Sequence, residues 1–221
     1  NYGYGKANNI GLKEVTTKYA LVLNPDTILG DDVINHFFIF LKKNINFSLL
    51  GPSQNENILN LGSNSYNNSN LHEADNIKGF AIFLNMPKFI DIGFFDENFF
   101  LYLEETDLCK RVKKINEKIY IDENIKILHY GGKSVSHNFS HEVELIRNWH
   151  WMWSLFYYNK KHFNYFYALI LVMPRFFSAL IKSIFYGLFF KRKKKEIYFK
   201  RLSGLINSIL GKPSWYRPTL D

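Results

Sequence analysis

The sequence predicts an α/β fold with a mainly parallel sheet, followed by a helical, aromatic and basic C-terminal region. Short continuous apolar runs alternate with amphipathic segments through the first 130 residues, the pattern of strands buried on both faces and covered by helices. The chain is 47% hydrophobic and 18% aromatic, which supports a sizeable core and excludes a disordered polymer. Charge is divided unevenly. Residues 1–130 hold 13 Lys and Arg against 16 Asp and Glu, a net −3, whereas residues 131–221 hold 15 against 4, a net +11. Such asymmetry points to a polyanionic partner surface. A single cysteine excludes a disulfide scaffold and any multi-cysteine zinc or iron–sulfur site.

The elements follow in order. Gly5–Thr17 has helical texture, with Ala7, Ile10, Leu12 and Val15 partly periodic. Tyr19–Leu23 is an apolar run expected to be a buried strand, ended by Asn24-Pro25-Asp26. Asp31 and Asp32 open a helix with Val33, Ile34, Phe37, Phe38 and Leu41 on its apolar side. Phe47–Leu50 is a second strand, stopped by Gly51-Pro52, and residues 53–76, rich in Asn and Ser, read as a loop or short hairpin. Gly79–Leu84 is a third strand, Glu104–Ile115 a helix, and Lys118–Leu128 a last strand. This divides the chain into an α/β domain over residues 1–140 and a helical region over 141–221.

In that second region, Phe163–Phe190 carries only Arg175 and Lys182 as charges and runs into Lys191-Arg192-Lys193-Lys194-Lys195. Its longest uncharged stretch, Phe163–Pro174, falls short of the ~20 apolar residues a membrane span needs. Lys161, Asn164, Arg175, Ser178 and Lys182 share one helical face. An apolar helix beside a basic cluster is the pattern of an interfacial anchor on an anionic membrane surface; a buried hairpin with a solvated basic loop is the alternative. Pro174 is expected to split the stretch into two shorter helices. Nucleic acid is not the expected partner, because basic and aromatic residues stand in blocks and are not interleaved.

Three groups carry candidate chemistry. Asp26 stands just past a strand, where open α/β sheets bind ligands and a carboxylate can hold Mg2+ or Mn2+; the same tripeptide is a good Asx-Pro turn. Glu104, Glu105 and Asp107 open a helix amid apolar bulk (Phe94, Phe95, Phe99, Phe100), and desolvation makes a carboxylate a better base; acidic residues there also simply complement the helix dipole. His129, just after the last strand, reads either as a further metal ligand or as a hydrogen-bonded core residue. Asp107 and Arg111 form an expected i,i+4 pair, and Cys109 reads as packing. Trp151 and Trp153 are candidates for an acceptor surface.

The order of the pieces is more specific than any one of them. Asn1-Tyr2-Gly3-Tyr4-Gly5-Lys6-Ala7-Asn8-Asn9 is followed by Asn24-Pro25-Asp26, Lys78-Gly79-Phe80-Ala81 and Gly93-Phe94-Phe95-Asp96-Glu97, then by Glu104-Glu105-Thr106-Asp107 through Arg111, and His129-Tyr130-Gly131-Gly132-Lys133-Ser134. Over about residues 1–135 this resembles glycosyltransferase family 2, in its bacterial rhamnosyltransferase-like branch. The resemblance implies a GT-A, Rossmann-like fold and an inverting hexosyltransferase of cell-surface polysaccharide synthesis. Such an enzyme uses a nucleotide-diphosphate sugar donor and a saccharide or lipid-linked acceptor.

On that resemblance Asp26 is the metal ligand of a DxD-type motif whose first Asp is here Asn24, and His129 is a further ligand for Mg2+ or Mn2+. Asn9, Asn24, Asp26 and Gly79 contact the donor. Glu105 is the catalytic base and Glu104 its orienting neighbour, with Glu in place of the family's usual Asp at 105. Rhamnose is the donor sugar it suggests, beside galactose, glucose and amino sugars. Location at the cytoplasmic face of the bacterial inner membrane, peripheral or monotopic, is expected. The chain opens on Asn1, and the fold is expected to be incomplete at the N-terminus; an inactive fragment or a non-catalytic membrane-associated binding protein is the alternative reading. The catalytic reading requires positions 26, 105 and 129 to converge on one cleft.

Overall fold

The computed structural model describes residues 1–53, 65–131 and 140–217. The chain forms two compact units. One holds Ala7–Phe95 and Glu105–Ser134, the other Asn1–Lys6, Asp96–Glu104 and Val135–Asp221.

The first unit is α/β; the helices up to residue 114 are α1 (Tyr4–Lys13), α2 (Val33–Lys42), α3 (Phe89–Ile92) and α4 (Glu104–Lys114). Its strands are β1 (Tyr19–Leu23), β2 (Thr27–Leu29), β3 (Leu49–Pro52), β4 (Leu71–Glu73), β5 (Ala81–Asn85), β6 (Ile119–Asp122) and β7 (Ile127–His129). Five of them make a sheet in the order β1–β5–β3–β6–β4, and β2 and β7 form a separate antiparallel ribbon. The five-stranded sheet is mixed, which corrects the expected mainly parallel arrangement. Among the described residues only β3–β6 is a parallel pair in it; β1–β5, β3–β5 and β4–β6 are antiparallel. The connections explain this. A parallel neighbour needs a crossover. The helix α2 (Val33–Lys42) supplies one between β1 and β3, which run the same way on either side of β5. Residues 74–80 join β4 to β5 without a helix, and both strands run against the other three.

The core lies between α2 and the sheet. Val33, Phe37 and Phe40 pack with Phe47, Leu50, Phe80, Phe83 and Ile125, and Phe37 stacks on Phe83 at 4.3 Å. Each such buried side chain contributes ~1.5–3 kcal/mol. The expected last strand is two strands in different sheets. Asp122 Oδ1 accepts the backbone N–H of Asn124 at 3.0 Å, and Asp122 O accepts that of Ile125 at 3.0 Å. That turn ends β6 and frees β7 to join β2.

The second unit is helical: α5 (Ser140–His162), α6 (Tyr165–Leu188) and α7 (Arg192–Ile209). Asn164 caps α6, its side chain accepting from Tyr167 N at 2.8 Å. Pro174 does not divide α6. A proline costs a helix interior ~3 kcal/mol, but buried residues hold α6 on both sides of it: Ala168 and Val172 before, Ala179 and Ser183 after. Arg175 Nη1 also donates to Leu171 O at 3.2 Å. The unbroken helix is long and apolar enough to cross a membrane by length and composition, a capacity that its uncharged stretch alone does not reveal.

Met152 and Phe156 of α5, Ala168 and Val172 of α6, and Leu205 of α7 share one core. Gly204 sets the spacing of α5 and α7, since a Cβ there would lie 2.2 Å from Trp149 O. His150 is fully buried, with Nδ1 2.8 Å from Ser214 Oγ and Nε2 3.0 Å from Tyr216 O.

Gly204→Ala is expected to force the helices apart and to destabilise the protein by ~2 kcal/mol or more, read as a lowered urea midpoint. Burial depresses His150 to about 4, with the Tyr216 carbonyl opposing and Arg217 adding to the shift. The native state therefore refuses a proton that the unfolded chain binds below about 6.5. Stability attributable to His150 is complete above that pH and falls as pH drops towards 4, by ~3 kcal/mol in total. His150→Gln should flatten that part of the stability–pH curve.

Candidate functional site

The ladder of β1 and β5 runs to Leu23 opposite Ala81 and continues as Asn24 N donating to Phe80 O at 2.9 Å. Thr27 Oγ1 then bonds Asn24 O at 2.7 Å, turning the chain from β1 into β2. In the ribbon Thr27 faces His129, and Tyr130 N donates to Asp26 O at 3.0 Å. Backbone pairing alone thus carries Asp26 to His129.

Their side chains meet, with Asp26 Oδ1 3.3 Å from His129 Nε2, and both are mostly buried but reachable, at 13% and 16% side-chain exposure. Asn24 Nδ2 stands 3.5 Å from the same Nε2. The Phe80 ring stacks on the imidazole at 5.1 Å and 9° and fixes its plane. Among the described residues no group of three or more His, Cys, Asp or Glu gathers as a metal cage. The donor pair nevertheless fits a cation completed by substrate oxygens. Two atoms each ~2.1 Å from one ion in adjacent octahedral positions stand ~3 Å apart, and Mg2+ commonly takes one or two protein carboxylates beside phosphate oxygens.

The carboxylates of the second group open α4 (Glu104–Lys114). Immediately before it, Tyr102 and Leu103 both adopt left-handed backbone conformations, φ 72° and 69°. For bulky residues such angles store ~1–3 kcal/mol each and persist only where surrounding structure imposes them. The surroundings here are Trp151, edge-on to Tyr102 at 5.6 Å, and Ser154, whose Oγ donates to Leu101 O at 2.9 Å.

Glu104 is buried. Glu105 is half-buried, and burial pushes its carboxyl above the usual range, with hydrogen bonds from its own backbone and from Thr106 offsetting part of the shift. Glu105 accepts a side-chain hydrogen bond from Thr106, one residue along α4, whereas Asp26 and His129 meet each other. Asp107 and Arg111 form the expected pair at 2.9 Å. Arg111 also donates to the carbonyls of Ile92, Gly93 and Phe94, so that pair braces the chain ahead of the site.

The other named residues have different surroundings. Asn9 is buried, and its amide spans Phe95, donating to O at 2.8 Å and accepting from N at 3.0 Å, so it is occupied in holding that backbone. Gly79 lies half-buried in the turn before β5, next to Phe80. Trp153 is buried with Nε1 bonded to Lys212 O at 2.9 Å, which removes it as an acceptor surface, whereas Trp151 keeps an exposed side. Cys109 is buried, with its thiol pushed by burial up to about 12, consistent with packing. Gly132, Lys133 and Ser134 lie outside the described residues. Phe80 stands in the Lys78-Gly79-Phe80-Ala81 piece, but its role beneath the imidazole and the strained turn at 102–103 are not announced by the motifs.

No protein-family model matches the chain. An alignment over 145 residues at 27% identity relates it to the low-salt glycan biosynthesis hexosyltransferase Agl10 of Haloferax volcanii. It takes in 54% of this chain and 46% of that protein, so the chain spans about half the length of this curated relative.

A carboxyl whose native value is raised contributes most stability below its unfolded value and loses it as pH climbs through the native one. Glu105→Gln is therefore expected to raise the melting temperature above pH 4.5, increasingly towards neutrality, and to leave it unchanged in more acidic buffer, as scanning calorimetry would read.

Proposed function

We propose that the chain belongs to a hexosyltransferase of glycan biosynthesis, of the family 2 type with a GT-A fold. It would move a sugar from a nucleotide-diphosphate donor to a saccharide or lipid-linked acceptor with inversion at the anomeric carbon. The similarity to a glycan biosynthesis hexosyltransferase supports a glycosyltransferase in general. The observation that carries the finer reading is the meeting of Asp26 Oδ1 and His129 Nε2 at 3.3 Å, beside Asn24, at the end of a sheet strand.

In this reading Asp26 and His129 hold a Mg2+ or Mn2+ ion, which when bound supplies positive charge to the departing diphosphate. Asn24 and Gly79 line the donor, and Phe80 keeps the imidazole in plane for it. Glu105 accepts the proton of the acceptor hydroxyl. As that oxygen bonds to the anomeric carbon, the bond to the nucleoside diphosphate breaks on the opposite face and the diphosphate leaves with the electron pair. Glu104 orients the acceptor. The raised proton affinity of Glu105, set first by burial, suits a general base.

The test is nucleotide-sugar turnover with Mn2+ by the full chain, over a donor panel including dTDP-rhamnose. Asp26→Ala and Glu105→Gln are each expected to lower turnover by ~10²–10⁴-fold. Equal turnover in all three proteins would overturn the site assignment. Donor binding without turnover in the unmodified protein would favour a non-catalytic binding role.

A further inference from the structure

We infer that α6 lies flat in the surface of an anionic membrane leaflet, one face inserted, and does not cross the bilayer. This does not depend on the glycosyltransferase reading. The helix has 24 residues and its most apolar 18-residue window has a mean hydropathy of 1.7, yet only 22% of that window is buried. A core helix of a water-soluble protein would have most of that surface covered.

The apolar exposure is greatest on one side. Phe166, Ile170, Phe177, Ile181, Ile184 and Leu188 recur at helical spacing and are 50% or more exposed. Ala168, Val172, Ala179 and Ser183 form the opposite, buried stripe, against α5 and α7. The exposed stripe ends in Phe189 and Phe190, which are 59% and 88% exposed. Lys191, Arg192, Lys193, Lys194 and Lys195 follow at once, all exposed.

That cluster selects the occupant. A second copy of the chain laid parallel on the stripe would bring two basic clusters together, and one laid antiparallel would leave each without a counter-charge on the partner's stripe, whereas anionic headgroups neutralise them and accept the phenylalanines between their acyl chains. The packing selects the pose. Arg175 and Lys182 lie within α6, on the border between its two stripes. In a crossing helix both would sit in hydrocarbon, and α5 and α7 would be drawn in with it, carrying Arg147, Lys200 and Arg201. Lying flat, Arg175 and Lys182 reach headgroups from the helix flank, and α5 and α7 stay in water.

Flotation of the full chain with phosphatidylcholine vesicles, with and without phosphatidylglycerol, tests this. Binding is expected only with phosphatidylglycerol. It should weaken about fivefold for each of Lys193→Ala and Lys194→Ala and fall to background for Ile181→Glu, a substitution at an exposed position whose helix content circular dichroism checks. An environment-sensitive label on Phe166→Cys, Phe177→Cys and Leu188→Cys, the native Cys109 being buried, should report equal shallow depths. A label at 177 deeper than both ends would mean a crossing helix and overturn the inference. Absence of flotation, with or without a concentration-dependent dimer, would overturn it too, as would flotation indifferent to these substitutions.

Discussion

Two strands of three residues each hold the candidate site together. The β2–β7 ribbon sets Thr27 opposite His129, and a one-residue slip would turn one of its strands over, sending the imidazole away from Asp26. The register is anchored at both ends: Tyr130 N reaches Asp26 O on one side, and Gly30 N reaches Lys126 O on the other. So short a ribbon has little stability of its own. It depends on the larger sheet, through the β1–β5 ladder that delivers residue 24, and on the turn at Asp122 that releases β7. The precision of the Asp26–His129 pair is therefore inherited from the α/β core built by Phe37, Phe40 and Phe83.

What was legible in the sequence was what depends on local pattern. The Tyr19–Leu23 strand and the α2 and α4 segments stand where the sequence pattern put them, but their faces differ: α2 buries Val33, His36, Phe37 and Phe40 and leaves Ile34 and Phe38 exposed, and Tyr19–Leu23 is an edge strand with only Val22 buried. Strand direction was not legible, since alternation of helix and strand leaves open whether a given helix is a crossover. Nor was the break inside residues 118–128, where Asp122 and Asn124 act through side-chain bonds to the backbone that no period registers. Pro174 misled in the opposite sense: a local penalty was outweighed by packing along the rest of α6.

The same contrast runs through the site. Asp26 and His129 were readable as a pair because motif order placed both at strand ends. The imidazole's platform, Phe80, was not, because a phenylalanine at the start of a strand is ordinarily core. Asn9 was legible as a motif residue, but its hold on the backbone of Phe95 was not, because it spans 86 positions of chain.

The left-handed pair at Tyr102 and Leu103 narrows what natural variation can do there. Valine, isoleucine and threonine are sterically barred from both positions, while asparagine and glycine would relax them. A chain that diverges freely elsewhere would still draw these two letters from a short alphabet. Their persistence as bulky aromatic and aliphatic residues would then record that the shape of the bend, and not its ease of formation, is what is inherited.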